Sequence, residues 1–423
     1  MKVKAVILVG GPEKGTRFRP LSLDVPKPLF PIAGFPLIHH HIEACSKIPE
    51  VTEILLIGFF QPSDAIKRFV RRERQKYGKN ISYLQEYTML GTAGCIYHFR
   101  DVIMNGDMDA FFLMFSDVFC DFPLLQMIDA KEKFMPYLMM TVEVPQDQSL
   151  HYGCAGINPL TKEVVHYIEK PDTFVSRDVN AGLYLLNVDI FEEIGMLFQR
   201  KHRPSISGSL DNEKYEDSTS NGLGRIVLES DLLPLLSGSG KLFAFKTNTF
   251  WLNIKSAGSA LHANRAILEL YKTTHPGRLN NESNCMGNVS VHPTAEVDPT
   301  AVLGPHVTIG AGAIIGKGVR VKNSMILEGA IMKDHCCILN SIIGWNCVVG
   351  EWSRVEGTPT EIDPNVNHAT TDNFYLFDEQ GRLRPSITIL GRDVTVPSEV
   401  VVRNSIVMPN KNINRGFKNQ ILL

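Results

Sequence analysis

An α/β domain on a mostly parallel, Rossmann-like sheet, followed by a left-handed parallel β-helix, is the architecture this sequence predicts. Three observations carry that expectation. Short apolar runs alternate with amphipathic helical stretches through the first half. After about residue 275 the period becomes six, with Val291, Val297, Leu303, Ile309, Ile315, Val321 and Leu327 following one another at that spacing. With 423 residues the chain exceeds one ordinary core, so two domains are expected, at 1–270 and 285–423.

Taken in order, residues 4–9 read as a buried strand, 36–46 as a helix, 53–58 as a strand, 64–77 as a helix, and 81–85 and 110–115 as further strands. In an open parallel sheet, ligands sit at the carboxyl ends of the strands. Gly10-Gly11, the loop after Gln85 and Ser116-Asp117 all fall at such ends. Residues 201–224 are polar and almost without aliphatics, which predicts an exposed insertion with no fold of its own.

In the second half a mostly small set (Ala295, Ala301, Val307, Ala313, Val319, Met325, Ile331) runs beside the large one, as a triangular coil with a large and a smaller inward residue requires. The register is expected to break at Lys333 and to resume at Ile343, Val349 and Val355, then at Leu390, Val396 and Val402. Residues 357–385 between those runs have no coil pattern and predict a protruding loop. In it Phe374, Tyr375, Leu376 and Phe377 sit among Asp363, Asp372, Asp378 and Glu379, an apolar anchor in an acidic surround of the kind that binds a partner.

Composition narrows the function. A net charge of −2 supplies no field to attract nucleic acid or an anionic membrane. The eight cysteines make no CxxC pair or metal-ligand spacing, and read as small core hydrophobes in a reducing compartment. The N-terminal apolar run is too short for a membrane span or a signal segment, so a cytoplasmic protein is expected.

The opening stretch, "VGGPEKGTRFRP", places Gly10 and Gly11 behind a strand with Arg17 and Arg19 following, an anion nest backed by charge. Glycine-rich turns also arise for steric reasons alone. Lys27, held between prolines in "VPKP", reads as a positioned phosphate contact and otherwise as a surface charge.

"GGPEKGTRFRPL", "VPKPLFPIAGFPLI", "LGTAG", "SDVFCDFP", "IEKP", "NAGLYLL" and "FWLNI" occur in the order found in sugar nucleotidyltransferases. With the β-helix behind them, they resemble the mannose-1-phosphate guanylyltransferase (GDP-mannose pyrophosphorylase) family over essentially the whole chain. That resemblance implies a nucleotide-sugar site: Gly10 and Gly11 at the phosphates, Glu86, Gly91 and Thr92 at the base, and Gly153, Glu169, Lys170 and Asn180 at the sugar. A carboxylate at Glu86 would accept both the N1 and N2 protons of guanine. The family's Mg2+, held by two carboxylates, would find the first at Asp117.

Three departures resemble the family's non-catalytic alpha subunits. Three residues, Pro12-Glu13-Lys14, separate Gly-Gly from Gly-Thr-Arg where the active family has one. Two extra residues displace the phosphate-facing amides on the scale of about 3.3 Å per extended residue, whereas oxyanion stabilisation needs donors at hydrogen-bond distance. Asn253 stands where the active family has the second metal carboxylate, and Lys255 stands where it has glycine. Arg17, Lys27, Asp117 and Asn253 would then be a degenerate catalytic set.

The resemblance thus implies a regulatory subunit that binds GDP-mannose, restrains a catalytic beta subunit by feedback, self-associates through its β-helix and requires no cofactor, with any Mg2+ site weak or absent. Two alternatives stay open: an active guanylyltransferase that makes GDP-mannose and diphosphate from GTP and mannose 1-phosphate, and a structural role like that of the guanine-exchange subunits of a translation initiation factor. Retained sugar contacts speak against the latter.

Overall fold

A computed structural model of the protein describes residues 1–11, 18–131, 134–202, 224–358 and 383–423. The chain divides into two compact units, one made of Met1–Pro12 and His41–Trp251, the other of Glu13–His40 and Leu252–Leu423. The insertion expected at 201–224 and the loop expected at 357–385 fall almost wholly outside the described residues, as do Pro12-Glu13-Lys14 and Arg17. Among the described residues no helix is long and apolar enough to cross a membrane.

The first unit is built on a sheet whose parallel half has the order β3-β2-β1-β4, with β1 at Val3–Gly10, β2 at Val51–Gly58, β3 at Asn80–Gln85 and β4 at Ala110–Phe115. β1 lies in the middle and is buried from Val3 to Val9, which explains its continuous apolar run. A charge on β1 is taken into this core. Lys4 is 3% exposed, and its ammonium reaches Glu53 Oε2 at 2.9 Å and the Val102 carbonyl at 2.7 Å. The sheet continues antiparallel through β8 (Asp178–Asn187), which pairs β4 on one side and both β5 (Tyr137–Glu143) and β6 (Gly153–Ile157) on the other. β7 (Val164–Glu169) flanks β6, and β9 (Leu242–Thr247) runs parallel to β5.

The helices follow from local rules. α1 occupies Leu37–Ser46, and the boundary between the units falls within it. α2 (Asp64–Tyr77) is capped by the Ser63 hydroxyl accepting from the Ile66 amide. It ends at Gly78 in the left-handed region, with Asp64 in its first turn and Arg74 and Lys76 in its last. Its apolar face is Ile66, Phe69 and Val70. α3 spans Gly91–His98 and α4 spans Ile190–His202.

In the second unit, the described residues form three parallel sheets of seven, five and six strands, a triangular solenoid that begins at Val289. Its axial column of Leu303, Ile309, Ile315, Val321, Val349, Val355, Leu390, Val396 and Val402 is buried, as the period requires. The predicted register needs one correction. Ile309 pairs with Ile326 and not with Leu327, Ile315 with Met332, and Val321 with Ile338, so the coils that follow advance by 17 residues as far as Val355. The shift falls at the corner after Val321, before Lys333. Lys333 is simply exposed, and in the small set Ala330 replaces Ile331 as the inward residue.

The cause is Asn323. In the left-handed region (φ 45°) it turns the corner with one residue fewer than Gly304-Pro305-His306 on the preceding coil. Asn340 and Asn404 repeat this backbone at φ 47° and 46°. Each is followed by a serine, and the Ser341 amide donates to Ser324 Oγ one coil away. Cys336 and Cys347 fill small inward positions, and all eight cysteines are free.

Across the span of 357–385 the solenoid closes as if uninterrupted, since Val355 pairs with Val402. The Thr358 amide donates to the Ser386 carbonyl at 3.0 Å. α5 (Ala257–Thr274) starts at a Ser256/Ser259 capping box. Its fully buried Asn264 accepts from the Ala33 amide and the Thr308 hydroxyl, tying the 31–36 hairpin to the first coil.

Candidate functional site

At the carboxyl edge of the parallel strands, main-chain bonds fix each loop as it leaves the sheet. The Phe59 amide donates to the Gly10 carbonyl, the Glu86 amide to Gly58, and the Ser116 amide to Leu8. The loops after β1, β2, β3 and β4 therefore leave from one edge, as the sequence predicts. Gly10 has φ +71° with open space around its α-carbon, while a side chain at Gly11 would strike Phe59 Cβ at 2.7 Å. The glycine pair thus has a packing reason for Gly11 and a backbone reason for Gly10.

Glu86 is 8% exposed, and a carboxylate so far out of water needs partners. Beside it the Tyr83 phenol donates to the Gly58 carbonyl, and burial together with the Glu86 charge pushes the Tyr83 pKa up. The "LGTAG" turn behaves differently from expectation. Gly91 sits at φ +81°, and an added Cβ would lie 2.2 Å from the Ile226 carbonyl oxygen. The amides of Ala93 and Gly94 both donate to that oxygen. Thr92 spends its hydroxyl on protein, donating to Glu229 Oε2 at 2.9 Å and accepting from the Leu228 amide at 2.7 Å. Gly91 and Thr92 therefore clamp the turn onto residues 226–229, and Thr92 positions rather than presents a contact.

The sugar-side residues do converge. Tyr167 donates to Glu169 Oε2 at 3.0 Å and accepts from Asn180 Nδ2 at 3.1 Å, and Asn180 also bonds the Tyr184 hydroxyl and the Gly182 amide. Gly153 makes the close approach possible, since a Cβ there would lie 1.9 Å from the Tyr167 hydroxyl and 2.6 Å from Glu169 Oε2. Lys170 is at positive φ, its amide bonded to the Tyr152 carbonyl. Its side chain is 63% exposed, and the ammonium lies 4.0 Å from Glu169 Oε1. Gly182, at φ +75°, faces Val118 and Phe115, and the Trp251 indole donates to the Ala181 carbonyl at 2.9 Å. These bonds hold the "NAG" turn in place.

Three participants had no signal in the sequence. Tyr167 and Tyr184 read only as strand residues, yet both hydroxyls belong to the network. Burial first, then neighbouring groups, push both phenols up, so they stay protonated donors. Glu229 follows the polar insertion and belongs to no motif. Desolvation raises its carboxyl pKa above 4.5 against the Thr92 hydrogen bond, and the charges of Glu169 and Asp117 push the same way. Half-buried Asp117 thus shares an acidic environment with Glu169 and Glu229.

Lys27 and Asn253 belong to the second unit. Lys27 opens the short 3-10 turn Lys27–Leu29, where Pro26 and Pro28 stiffen it, and its ammonium lies 5.9 Å from the centre of the Phe18 ring. Asn253 ends the strand Trp251–Asn253, and its Oδ1 is buried without a hydrogen-bond partner among the described residues. The backbone amide of Lys255 is taken by Ser259 Oγ at 3.0 Å.

Comparison with known proteins agrees with both halves. A nucleotidyl transferase family model matches residues 4–222, and a GMPPB C-terminal domain model matches residues 285–422. Relatives match along the full length of both chains. The mannose-1-phosphate guanylyltransferase regulatory subunit alpha-A of Danio rerio is 53% identical, and the regulatory subunits alpha of Xenopus tropicalis and Sus scrofa are 51% and 50% identical, each with 100% of both chains covered. The chain belongs to the nucleotidyl transferase family and, within it, to the mannose-1-phosphate guanylyltransferase regulatory alpha subunits.

Proposed function

We propose that this chain binds GDP-mannose at the carboxyl edge of its parallel sheet without turning it over, and that the bound nucleotide sugar makes it restrain a catalytic guanylyltransferase subunit. The observation that carries this reading is the network joining Glu169, Tyr167, Asn180 and Tyr184. It holds a carboxylate in place for sugar hydroxyls through two phenols and an amide, before any ligand arrives. Glu86 supplies the acceptor for guanine, Gly10 and Gly11 the phosphate turn, and Lys170 an exposed cation for the sugar-linked phosphate.

Turnover is a separate matter. In the family reaction Mg2+ offsets charge on the phosphates. Asp117 would be a charged ligand for it, whereas the sequence supplies at position 253 an amide in place of a second carboxylate, without the charge that balances Mg2+. Binding of the nucleotide sugar then requires no cofactor. Restraint of the partner follows by linkage: GDP-mannose must bind the restrained state of the complex more tightly than the active one. We further place the protein in the cytoplasm, with the β-helix faces as its self-association surface and no role for nucleic acid or membrane.

Retention of Asp117 and the glycine pair favours one other reading, an active guanylyltransferase. Calorimetric titration of the purified chain with GDP-mannose, together with a synthesis assay on GTP, mannose 1-phosphate and Mg2+, separates the two. Saturable binding without turnover is expected. Robust turnover by the chain alone overturns the regulatory reading, and absence of binding overturns both.

A further inference from the structure

The sequence resemblance places Asn180 against the sugar, yet its side chain has little left for a ligand. The Gly182 amide donates to its Oδ1 at 3.0 Å, and a backbone N–H can only donate, so the orientation of the Asn180 amide is fixed. Nδ2 then faces the Tyr167 phenol at 3.1 Å. The Tyr184 phenol, fully buried, lies against both ends of the same amide, 2.9 Å from Oδ1 and 2.6 Å from Nδ2. Three protein partners surround the four hydrogen-bonding positions of this one side chain.

The direction of the next bond follows. A phenol, with an ordinary pKa of about 10, keeps its proton near neutral pH. Tyr167 accepts from Asn180, so its own proton goes to Glu169 Oε2, 3.0 Å away. Tyr167 is 2% exposed, which keeps competing water from this bond. Gly153 packs against the same contact, since a Cβ there would lie 1.9 Å from the Tyr167 hydroxyl and 2.6 Å from Oε2. Oε1 accepts no hydrogen bond among the described residues, and the Lys170 ammonium lies 4.0 Å from it.

We propose that Tyr167 and Asn180 are positioning residues for sugar recognition. Hydrogen bonds run one way, from the Gly182 amide through Asn180 and Tyr167 to Glu169, and commit Oε2, so that Oε1 is the carboxylate oxygen that meets the sugar. This inference rests on the nucleotide-sugar reading above and deepens it. One carboxylate oxygen has about two lone pairs, enough for two neighbouring hydroxyls. The ligand class that fits is a nucleoside diphosphate sugar with an unsubstituted vicinal diol. Without the Tyr167 hydroxyl the carboxylate turns about its last torsion, which is a broad one, and the ligand has to supply that ordering itself.

The test titrates the full chain by calorimetry with GDP-mannose and, separately, with GDP. A variant that changes one affinity and not the other reports on the sugar side. Tyr167→Phe keeps the ring and removes the hydroxyl, so GDP-mannose affinity should fall roughly tenfold while GDP affinity holds and shows that the variant is folded. Asn180→Ala should give the same sugar-specific loss, and the double variant should bind GDP-mannose no more weakly than the weaker single one, because both act through one bond. Additive losses would make Asn180 a direct sugar contact and overturn the relay. If Asn180→Ala loses GDP affinity as well, Tyr167→Phe alone decides. Equal losses for GDP and GDP-mannose in Tyr167→Phe would leave the phenol a structural part only, and unchanged GDP-mannose affinity would leave it no part; either overturns the proposal. Failure of the parent chain to bind GDP-mannose overturns the nucleotide-sugar reading and the relay with it, an outcome distinct from a parent that binds and a variant that binds equally.

Discussion

Glu229 carries the clearest pH signature among the described residues of the site. Its folded pKa is raised, so in the window between about 4.5 and that raised value the folded chain holds a proton that the unfolded chain has lost. Stability from this group is therefore fully present below that window and declines as pH rises through it. Glu229→Gln keeps an acceptor for Thr92 and removes the titration, so it should flatten the fall of the urea midpoint with rising pH. An unchanged slope would assign the pH dependence to another group. Glu86→Ala should cost GDP-mannose binding about 1.5–3 kcal/mol, roughly ten- to hundredfold, through loss of a charged acceptor. Equal affinities by calorimetry would mean that the base is read elsewhere. The sequence pointed to Glu86, Glu169 and Asn180 through motifs, but Glu229 was invisible because its role depends on a turn some 135 residues earlier folding onto it.

At the scale of elements, each strand and helix expected in the first half forms within a few residues of its predicted ends. Alternation of period two and a burial run are local properties of the chain. The solenoid was legible for the same reason, down to its inward columns. The one error, the corner after Val321, arose because a strict period of six ignores the backbone freedom of asparagine. The repeated Asn-Ser pairs at 323–324, 340–341 and 404–405 were the available sign. Asn340→Ala removes a donor to the Gly357 carbonyl, an acceptor for Asn323 and a residue suited to the left-handed region. It should destabilise the solenoid by about 1–3 kcal/mol, measured as a lower urea midpoint. A midpoint equal to the parent's would show that the ladder is ornamental to stability.

For the whole molecule, the proposed function would make the chain a binding unit and a solenoid within an assembly whose other members carry out the chemistry. If GDP-mannose acts by linkage, its midpoint for lowering the rate of a reconstituted mixture with the catalytic subunit should track its affinity for this chain, and Glu86→Ala should shift both together. Inhibition that persists in Glu86→Ala at the parent midpoint would place the effector site on the catalytic subunit. Asn253→Asp alone should restore little turnover, because the longer loop at residues 12–14 burdens the same transition state. Rates of the active family's order from that single change would make the loop irrelevant.

Composition, period and motif order were sufficient for the α/β unit, the β-helix and the family, because these are written in neighbouring positions. Contacts between distant segments were not. Thr92 closes on Glu229, Asn180 is consumed by two tyrosines, and Asn323 donates to Asn340 one coil away. Each of these outcomes depends on which donor meets which acceptor after the chain has folded, and no local pattern encodes that pairing.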